Sequence, residues 1–183
     1  EMVLFRVGAT PAKEAFQYPA GDTWRSKTWK DVGDDVRALA SGLRALGLKD
    51  EERVGILSST RLEWVLADLA VMCAAGATTT VYTATPAEDC AYILNDSRSV
   101  LLFVEDEKQL AKIASVRAEL PALHHVIVID GKGGHDGWAL AWDELLARGR
   151  EYDKAHPDEY ERVARGVRPD SLATLIYTSG TTG

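Results

Sequence analysis

The sequence predicts an α/β protein whose mostly parallel sheet carries helices on both faces, with a β-hairpin near the N-terminus. Three observations lead to this fold class. Short apolar runs such as 100–104 and 126–129 lack the alternation of a half-exposed strand, so both of their faces are expected to be buried. Segments with apolar residues at spacings of three and four separate these runs, as helices do. Right-handed crossovers between such strands then place helices on both faces of one sheet.

The hairpin and the first long helix follow from turn and capping residues. Residues 15–27 predict a hairpin, because two strand-like halves flank the turn-forming Pro-Ala-Gly-Asp at 19–22. Thr28 is expected to cap the next helix, and Asp31 completes a weak form of the capping box. Apolar residues then recur at helical spacing until Gly47, which stands where a helix commonly ends.

The remaining elements alternate in type along the chain. Each expected strand is a short apolar or β-branched run, and each expected helix is longer and amphipathic or largely apolar. Pro86 is expected in the first turn of a helix, where it costs no hydrogen bond, whereas Pro121 is expected to stop one. The strands are predicted at 53–57, 78–81, 100–104, 126–129 and 172–177, and the helices at 62–75, 86–94, 107–120, 139–148 and 158–165.

Composition and charge exclude several classes of protein. The 183 residues include 21 lysines and arginines against 28 aspartates and glutamates, which gives a net charge of −7. Duplex DNA and anionic membranes are bound mainly through clustered basic residues, so no nucleic-acid partner is expected. The most apolar window, 69–77, is about half the roughly 18 residues that a transmembrane helix needs. Two cysteines without metal or disulfide spacing indicate a reducing compartment, so the cytoplasm is expected, with peripheral membrane contact left open.

Both ends of the sequence predict a piece of a longer protein. The first residue is Glu1 with Met2 behind it, and the last three residues, 181–183, lie inside a polar, glycine-containing stretch. A sheet that is cut from its neighbours exposes apolar surface or an unpaired edge. We therefore expect the isolated chain to self-associate.

Strand exits are the first places to look for a site, because ligands of open α/β sheets bind beyond the carboxyl ends of the strands. The exit at 58–60 is rich in hydroxyls but lacks the G-x-G-x-x-G fingerprint of dinucleotide-binding folds. The loop 131–137 nearly matches that fingerprint, but its third glycine comes one position late and no helix follows at once, which favours a surface turn. The most informative exit is 178–183, with the sequence Thr-Ser-Gly-Thr-Thr-Gly.

This last exit combines four hydroxyl side chains with two glycines. Glycines allow backbone N–H groups to converge on one anion, and hydroxyls donate to phosphate oxygens. The stretch is not a Walker A loop, because only two residues separate Gly180 from Gly183, where that motif has four. Composition leaves two interpretations open: a polyphosphate-binding loop and a solvated loop.

The run 175–183, Leu-Ile-Tyr-Thr-Ser-Gly-Thr-Thr-Gly, resembles the signature of the adenylate-forming superfamily, which includes acyl-CoA synthetases, luciferases and the adenylation domains of peptide synthetases. Other runs resemble the family's N-terminal stretch in the same order, so that the similarity extends from about Trp24 to Gly183. Among subfamilies, the chain is most similar to bacterial long-chain fatty-acid–CoA ligases. The further runs are Arg61-Leu62-Glu63-Trp64 and residues 75–77, 81–85, 92–97 and 168–174.

The resemblance implies a two-step ligase reaction for the intact protein. ATP would activate a fatty acid as an acyl-adenylate, and coenzyme A would then displace AMP to form a thioester. Magnesium is implied as the counterion of the ATP phosphates. Because the family's loop holds the β- and γ-phosphates, the implied phosphate-binding residues are Thr178, Ser179, Gly180, Thr181, Thr182 and Gly183.

The resemblance also implies what this chain lacks. Residues 1–183 would form an incomplete N-terminal α/β subdomain of an AMP-binding domain, and the family's catalytic lysine, acidic magnesium ligand and ribose-binding aspartate would lie beyond Gly183. No residue of the chain is given a catalytic role, and the chain alone is expected to be inactive. Two alternatives stay open: a ligase for an aryl, short-chain or amino acid, and a non-catalytic nucleotide-binding or interaction module.

Several other residues invite a functional interpretation that the pattern does not favour. Tyr82 and Tyr92 are expected to be packing residues. The two histidines at 124–125 would point to opposite faces of a strand, and no third ligand has suitable spacing, so no metal site is expected. The acidic run 105–107 is expected to be a solvated helix start.

Overall fold

The α/β architecture expected from the sequence is confirmed in the computed structural model, which describes residues 2–178. One mostly parallel sheet forms its centre, with helices on both faces and an antiparallel hairpin near the N-terminus. The helices are α1 (Met2–Ala9), α2 (Trp29–Ala45), α3 (Leu62–Cys73), α4 (Ala87–Asp96), α5 (Glu107–Ser115), α6 (Trp142–Ala155) and α7 (Glu159–Gly166). The strands are β1 (Glu14–Ala20), β2 (Thr23–Thr28), β3 (Arg53–Leu57), β4 (Ala77–Val81), β5 (Ser99–Asp106), β6 (His125–Asp130), β7 (Gly133–Gly134), β8 (Ala139–Ala141) and β9 (Thr174–Leu175).

The large sheet has seven strands in the order β7-β8-β6-β5-β3-β4-β9. Neighbouring strands from β8 to β9 pair in parallel, and only β7 runs antiparallel to its partner β8. The chain moves from β3 outward to β4 and then crosses back over β3 to β5. Because right-handed crossovers in opposite directions lie on opposite faces, this reversal distributes the helices over both sides of the sheet.

Each face of the sheet buries its own apolar cluster. On β5, Leu101 and Phe103 belong to the cluster that α2, α3 and α6 cover, whereas Leu102 and Val104 belong to the cluster under α4 and α5. All four of these side chains are almost completely buried. The strand is therefore apolar on both faces, which explains the absence of alternation in its sequence.

The hairpin and the capping box are formed as predicted. Gly21 occupies the turn with a φ of +62°, a conformation that glycine adopts without a steric penalty. Thr28 Oγ1 accepts a hydrogen bond from the Asp31 backbone N–H, while the Asp31 carboxylate accepts from the Thr28 backbone N–H at 2.9 Å. These bonds fix where α2 begins, and Gly47 follows its end with a φ of +91°.

Two predicted helices differ clearly from the observed elements. The helix predicted at 107–120 ends at Ser115 and continues as a 3₁₀ turn at Arg117–Glu119, because the residue before Pro121 is disfavoured in the α-helical region. The helix predicted at 139–148 is wrong in its first turn: Ala139–Ala141 pairs with β6 as a strand, and the helix occupies Trp142–Ala155. Pairing with an open sheet edge outweighs the helix propensity of alanine and leucine there.

Two glycines bring α2 and α6 into unusually close contact. A Cβ atom added at Gly149 of α6 would lie 1.7 Å from the Ala38 carbonyl oxygen and 2.7 Å from the Gly42 backbone nitrogen, both on α2. A Cβ atom at Gly42 would in turn lie 2.7 Å from the Leu145 carbonyl oxygen. The two helix backbones therefore touch directly, and neither position has room for a side chain.

A carboxylate links α3 to β4 inside the structure. Asp68 Oδ1 accepts a hydrogen bond of 2.7 Å from the Thr78 hydroxyl, and burial raises the pKa of Asp68 above its usual value. A raised native pKa stabilises the fold below the pKa of the unfolded chain, and that contribution is lost as the pH rises through the native value. At neutral pH the charged Asp68 therefore lowers the free energy of unfolding.

Replacing Asp68 by asparagine is expected to stabilise the protein at pH 7. Asparagine keeps an oxygen that accepts from Thr78 and removes the partly buried charge, so the melting temperature should rise by about 1–3 °C. Because the carboxyl group becomes protonated in acid, the difference between Asp68→Asn and the natural chain should shrink as the pH falls towards 3. Thermal melts at both pH values measure this, and a lower melting temperature for Asp68→Asn at pH 7 would contradict it.

Candidate functional site

The carboxyl ends of the parallel strands lie along one edge of the sheet, where ligands of this fold class bind. β9 is the outermost strand on its side, and its exit leads to Thr178, whose side chain is exposed. Thr178 is the only predicted phosphate-binding residue within the described part of the chain. The other predicted residues, Ser179, Gly180, Thr181, Thr182 and Gly183, lie outside the described residues.

Contacts within the protein occupy the exits of β3, β5 and β6. Ser59, after β3, donates from its backbone N–H and its hydroxyl to the two carboxylate oxygens of Glu105, at 2.8 and 2.9 Å. Arg61 forms an ion pair with Asp130 at the end of β6 and a second one with Glu63. These groups satisfy one another, which leaves the exit of β9 as the more open end of the edge.

The acidic run 105–107 begins a helix as expected, but its carboxylates are bonded rather than simply solvated. Asp106 caps α5 by accepting from the Gln109 backbone N–H at 2.9 Å. Glu107 accepts from the Lys132 backbone N–H at 2.8 Å and so holds the glycine-rich loop that follows β6. The run is therefore structural.

β9 is anchored to the sheet over a short length. The strand predicted at 172–177 pairs with β4 only through Thr174 and Leu175. Backbone and side-chain bonds reinforce this pairing, since the Thr78 N–H donates to the Ala173 carbonyl at 2.9 Å and the Thr174 hydroxyl donates to the Thr78 carbonyl at 3.0 Å. The prediction was too long because apolar character alone does not show where an edge strand leaves its partner.

Beyond Leu175, a side-chain contact determines the direction of the chain. Ile176 is 72% exposed, whereas the Tyr177 hydroxyl donates a hydrogen bond of 2.6 Å to Oδ2 of Asp96 at the end of α4. Burial and this neighbouring carboxylate raise the pKa of Tyr177 to about 12. The phenol therefore keeps its proton at neutral pH and acts as a hydrogen-bond donor.

A groove of about 560 Å³ separates α4 from the exit of β9. Tyr82, Tyr92, Tyr177 and Thr178 contribute to its walls. The expectation that Tyr82 and Tyr92 are packing residues is wrong, because they are 82% and 66% exposed. The groove thus offers aromatic rings and hydroxyls beside Thr178.

The stripe of α4 that faces this groove could have been found in the sequence. Asp89, Tyr92, Ile93 and Asp96 follow one another at spacings of three, one and three, which places them on one side of a helix. Three of these four side chains are charged or carry a hydroxyl, which is not the composition of a core-facing stripe. The buried side of α4 is formed instead by Cys90, Ala91 and Leu94.

The described residues contain neither a metal-binding cluster nor a membrane-spanning helix. Residues 2–178 contain no group of three or more histidine, cysteine, aspartate or glutamate side chains arranged to hold a metal ion. In the same part of the chain, no helix has the length and apolar character needed to cross a bilayer.

Comparison with curated proteins gives relatives that share one kind of name. The chain is 36% identical over 160 residues to the long-chain-fatty-acid–CoA ligase FadD15 of Mycobacterium bovis, covering 87% of this chain and 25% of that protein. It is 33% identical over 164 residues to the long-chain-fatty-acid–CoA ligase ACSBG2 of Xenopus laevis, covering 89% and 22%. The chain thus spans about a quarter of the length of these relatives.

Solved structures and a family model complete the comparison. The anthranilate CoA ligase AuaEII, solved with anthranoyl-AMP, superposes with a TM-score of 0.79 at 27% identity, over 99% of this chain and 32% of that one. The acetoacetyl-CoA synthetase of Streptomyces lividans gives a TM-score of 0.70 at 29% identity, over 79% of this chain and 24% of that one. The model of the AMP-binding enzyme family matches residues 5–183. The resemblance of the signature at 175–183 is therefore confirmed, and the chain belongs to the AMP-binding enzyme family.

Proposed function

We propose that the complete protein is an acid–thiol ligase that activates a long-chain fatty acid with ATP and transfers the acyl group to coenzyme A. The names of the curated relatives support the fatty acid as substrate. Within this proposal, residues 1–183 form the front part of the nucleotide-binding domain, and residues 178–183 bind the β- and γ-phosphates of ATP. The cytoplasm, with peripheral contact to membranes that supply the fatty acid, is the proposed compartment.

The chemistry explains why ATP is needed. A carboxylate is a poor electrophile, because its negative charge repels nucleophiles and oxide is a very poor leaving group. In the first step, a carboxylate oxygen forms a bond to the α-phosphorus of ATP, and the bond to pyrophosphate breaks. In the second step, the sulfur of coenzyme A bonds to the acyl carbon, AMP leaves with the bonding electron pair, and the thiol proton passes to solvent.

The observation that carries the proposal is the position of Thr178. The chain leaves β9 at the carboxyl edge of a parallel sheet, next to an open groove, and it reaches Thr178, the first of the hydroxyl- and glycine-containing residues 178–183, three residues later. Backbone N–H groups and hydroxyls there would donate to phosphate oxygens without needing a positive side chain. This matters in a chain of net charge −7, since ATP, coenzyme A and fatty acids are all anions.

The proposal does not depend on a metal held by the described residues. Magnesium is implied by the family resemblance as the counterion of the ATP phosphates. Residues 2–178 supply no set of three acidic or imidazole ligands for it, so the described part of the chain does not fit a resident magnesium site. Neither of the two reaction steps is assigned to magnesium.

The experiment is a substrate panel on the complete gene product. ATP–pyrophosphate exchange should appear with laurate, palmitate and oleate, and the same acids should yield acyl-CoA when coenzyme A is added. Exchange confined to benzoate or anthranilate, to acetate or acetoacetate, or to amino acids would replace the fatty acid by one of those substrates. Absence of exchange with every acid would support a non-catalytic nucleotide-binding or interaction module and overturn the proposal.

The 183-residue chain by itself is expected to make no acyl-CoA and to bind ATP weakly. A charge-assisted hydrogen bond contributes about 1.5–3 kcal/mol, and the cost of association, at least about 4 kcal/mol, offsets much of what two or three of them supply, which leaves roughly millimolar affinity. Isothermal titration calorimetry with ATP measures this. Micromolar binding by the 183-residue chain would show that it contains more of the nucleotide site than we propose.

The same chain is expected to self-associate at high concentration. β9 is an edge strand with a two-residue ladder, and the neighbouring Ile176 is 72% exposed. Light scattering should give a mass above that of the monomer, and Ile176→Lys should lower that mass. A monodisperse monomer in the natural chain would refute the expectation.

A further inference from the structure

We propose that Asp96 is a positioning residue for the phosphate-binding segment, which it holds through its hydrogen bond with Tyr177. This inference rests on the proposed function of residues 178–183. It assigns to the end of α4 a role in ATP binding without any contact between Asp96 and the nucleotide. The Asp96–Tyr177 pair lies just before the predicted phosphate-binding residues 178–183, since Tyr177 directly precedes Thr178.

The sheet gives little support to residues 176–178. The ladder between β4 and β9 ends at Leu175, three residues before Thr178. Ile176 is mostly exposed and does not anchor the backbone by burial. The hydrogen bond from Tyr177 to Asp96 ties the stretch 176–178 to the end of α4. The path of the chain into the signature therefore depends on this bond.

The hydrogen bond between Tyr177 and Asp96 is short. The distance of 2.6 Å between the phenol oxygen and Oδ2 is typical of a hydroxyl that donates to a carboxylate, a charge-assisted bond that is stronger than a neutral one. The raised pKa of Tyr177 means that the donor stays protonated throughout the physiological range. The phenol is therefore available throughout this range as the donor to the Asp96 carboxylate.

Asp96 is the last residue of α4, and the side chains of its neighbours Asn95 and Ser97 both form hydrogen bonds outside the helix. The Asn95 side chain donates to the Glu119 carbonyl at 2.8 Å, and the Ser97 hydroxyl lies 2.8 Å from the hydroxyl of Ser99 on β5. Leu94 and Ser97 are buried. The carboxylate thus projects from a fixed point of the fold.

Asp96 does not stabilise the helix to which it belongs. A negative side chain in the last turn lies at the negative end of the helix dipole, which is unfavourable. Asp89 lies on the same groove and near the start of α4, where a carboxylate is favourable. Asp89 makes no hydrogen bond to Tyr177, so it provides a matched control.

Two measurements test the proposal, one independent of catalysis. In the complete gene product, amide hydrogen exchange at Thr78, whose N–H donates to Ala173 next to β9, should become about fivefold faster in Tyr177→Phe and in Asp96→Ala, with the rest of the sheet unchanged. Asp96→Asn keeps an acceptor oxygen and should restore part of the protection. Asp89→Asn should exchange like the natural chain.

The second measurement is ATP–pyrophosphate exchange by the complete gene product. Tyr177→Phe and Asp96→Ala should each raise the KM for ATP about five- to tenfold, while kcat and the KM for the acid change less than about threefold. The double variant should be no worse than either single variant, because both remove the same bond. A purely structural role would instead lower the melting temperature and disturb both substrates alike.

The outcomes separate the two proposals. If hydrogen exchange at Thr78 is the same in Tyr177→Phe and the natural protein, or if the KM for ATP is unchanged in both single variants, the positioning role is wrong. If the unmutated gene product shows no ATP–pyrophosphate exchange while the local hydrogen-exchange contrast persists, the proposed function fails. Asp96 then still positions the segment, but not for ATP.

Discussion

Replacing Gly149 by alanine is expected to lower the free energy of unfolding by at least about 3 kcal/mol, which corresponds to a fall in melting temperature of roughly 6–12 °C. The new Cβ atom would stand 1.7 Å from the Ala38 carbonyl oxygen, and its next neighbour is the Gly42 backbone nitrogen at 2.7 Å. Both are backbone atoms, so no side chain can rotate out of the way. The α2 and α6 helices would have to separate and lose the packing between them.

Urea denaturation of Gly149→Ala measures this loss, with Gly8→Ala as the matched control. Gly8 lies in α1, and a Cβ atom added there would have no neighbour within 4 Å, so the same substitution should be neutral or stabilise by up to about 1 kcal/mol. Recovery of Gly149→Ala only as insoluble protein, with soluble Gly8→Ala, would agree with the expectation. An unchanged urea midpoint for Gly149→Ala would show that α2 and α6 do not touch at this position.

The largest effect on activity is expected from the two adjacent threonines of the signature. Thr181→Val and Thr182→Val keep the shape of the side chain and replace a hydroxyl by a methyl group. If each hydroxyl donates to a phosphate oxygen, each substitution should lower kcat/KM for ATP about tenfold to a hundredfold, and the double variant should lose at least about a hundredfold. Thr181 and Thr182 lie outside the described residues, so the prediction rests on the signature.

Steady-state kinetics of the complete gene product, with ATP varied at saturating acid, measures this. Thr23→Val is the control, because Thr23 lies in the exposed hairpin and its hydroxyl bonds only to the nearby Ala20 carbonyl. That variant should retain the natural kinetics. A double variant within threefold of the natural enzyme would remove residues 181 and 182 from the phosphate site.

The layers of the fold were predictable because they depend on local patterns. Buried strands such as β3 and β5 are apolar on both faces. The capping box formed by Thr28 and Asp31 lies within four consecutive residues and marks the start of α2. The errors fall where a distant partner decides the outcome. Ala139–Ala141 forms a strand because β6 offers it an edge, and α1 was not predicted at all. Nothing in the sequence around Gly149 shows that another backbone lies against it.

The candidate site, like the fold, could be predicted only in part from the sequence. Phosphate binding by residues 178–183 stays a prediction, which rests on their hydroxyls and glycines and on the resemblance of their order to a known signature. The surroundings of the site could not be predicted, because the strand order that sets β9 beside β4 joins residues 96 positions apart. The bond between Tyr177 and Asp96 depends on that order, so it becomes visible only in three dimensions.

The separation between β4 and β9 also has a consequence for how the protein is made. Ribosomes add about 5–20 residues per second, so the 96 residues between Thr78 and Thr174 take roughly 5–20 s to synthesise. During that interval one side of β4 has no partner within the growing polypeptide. The nascent chain is thus open to wrong pairing with neighbouring nascent chains until β9 has been made, and slowing translation in this region would lengthen the period of risk.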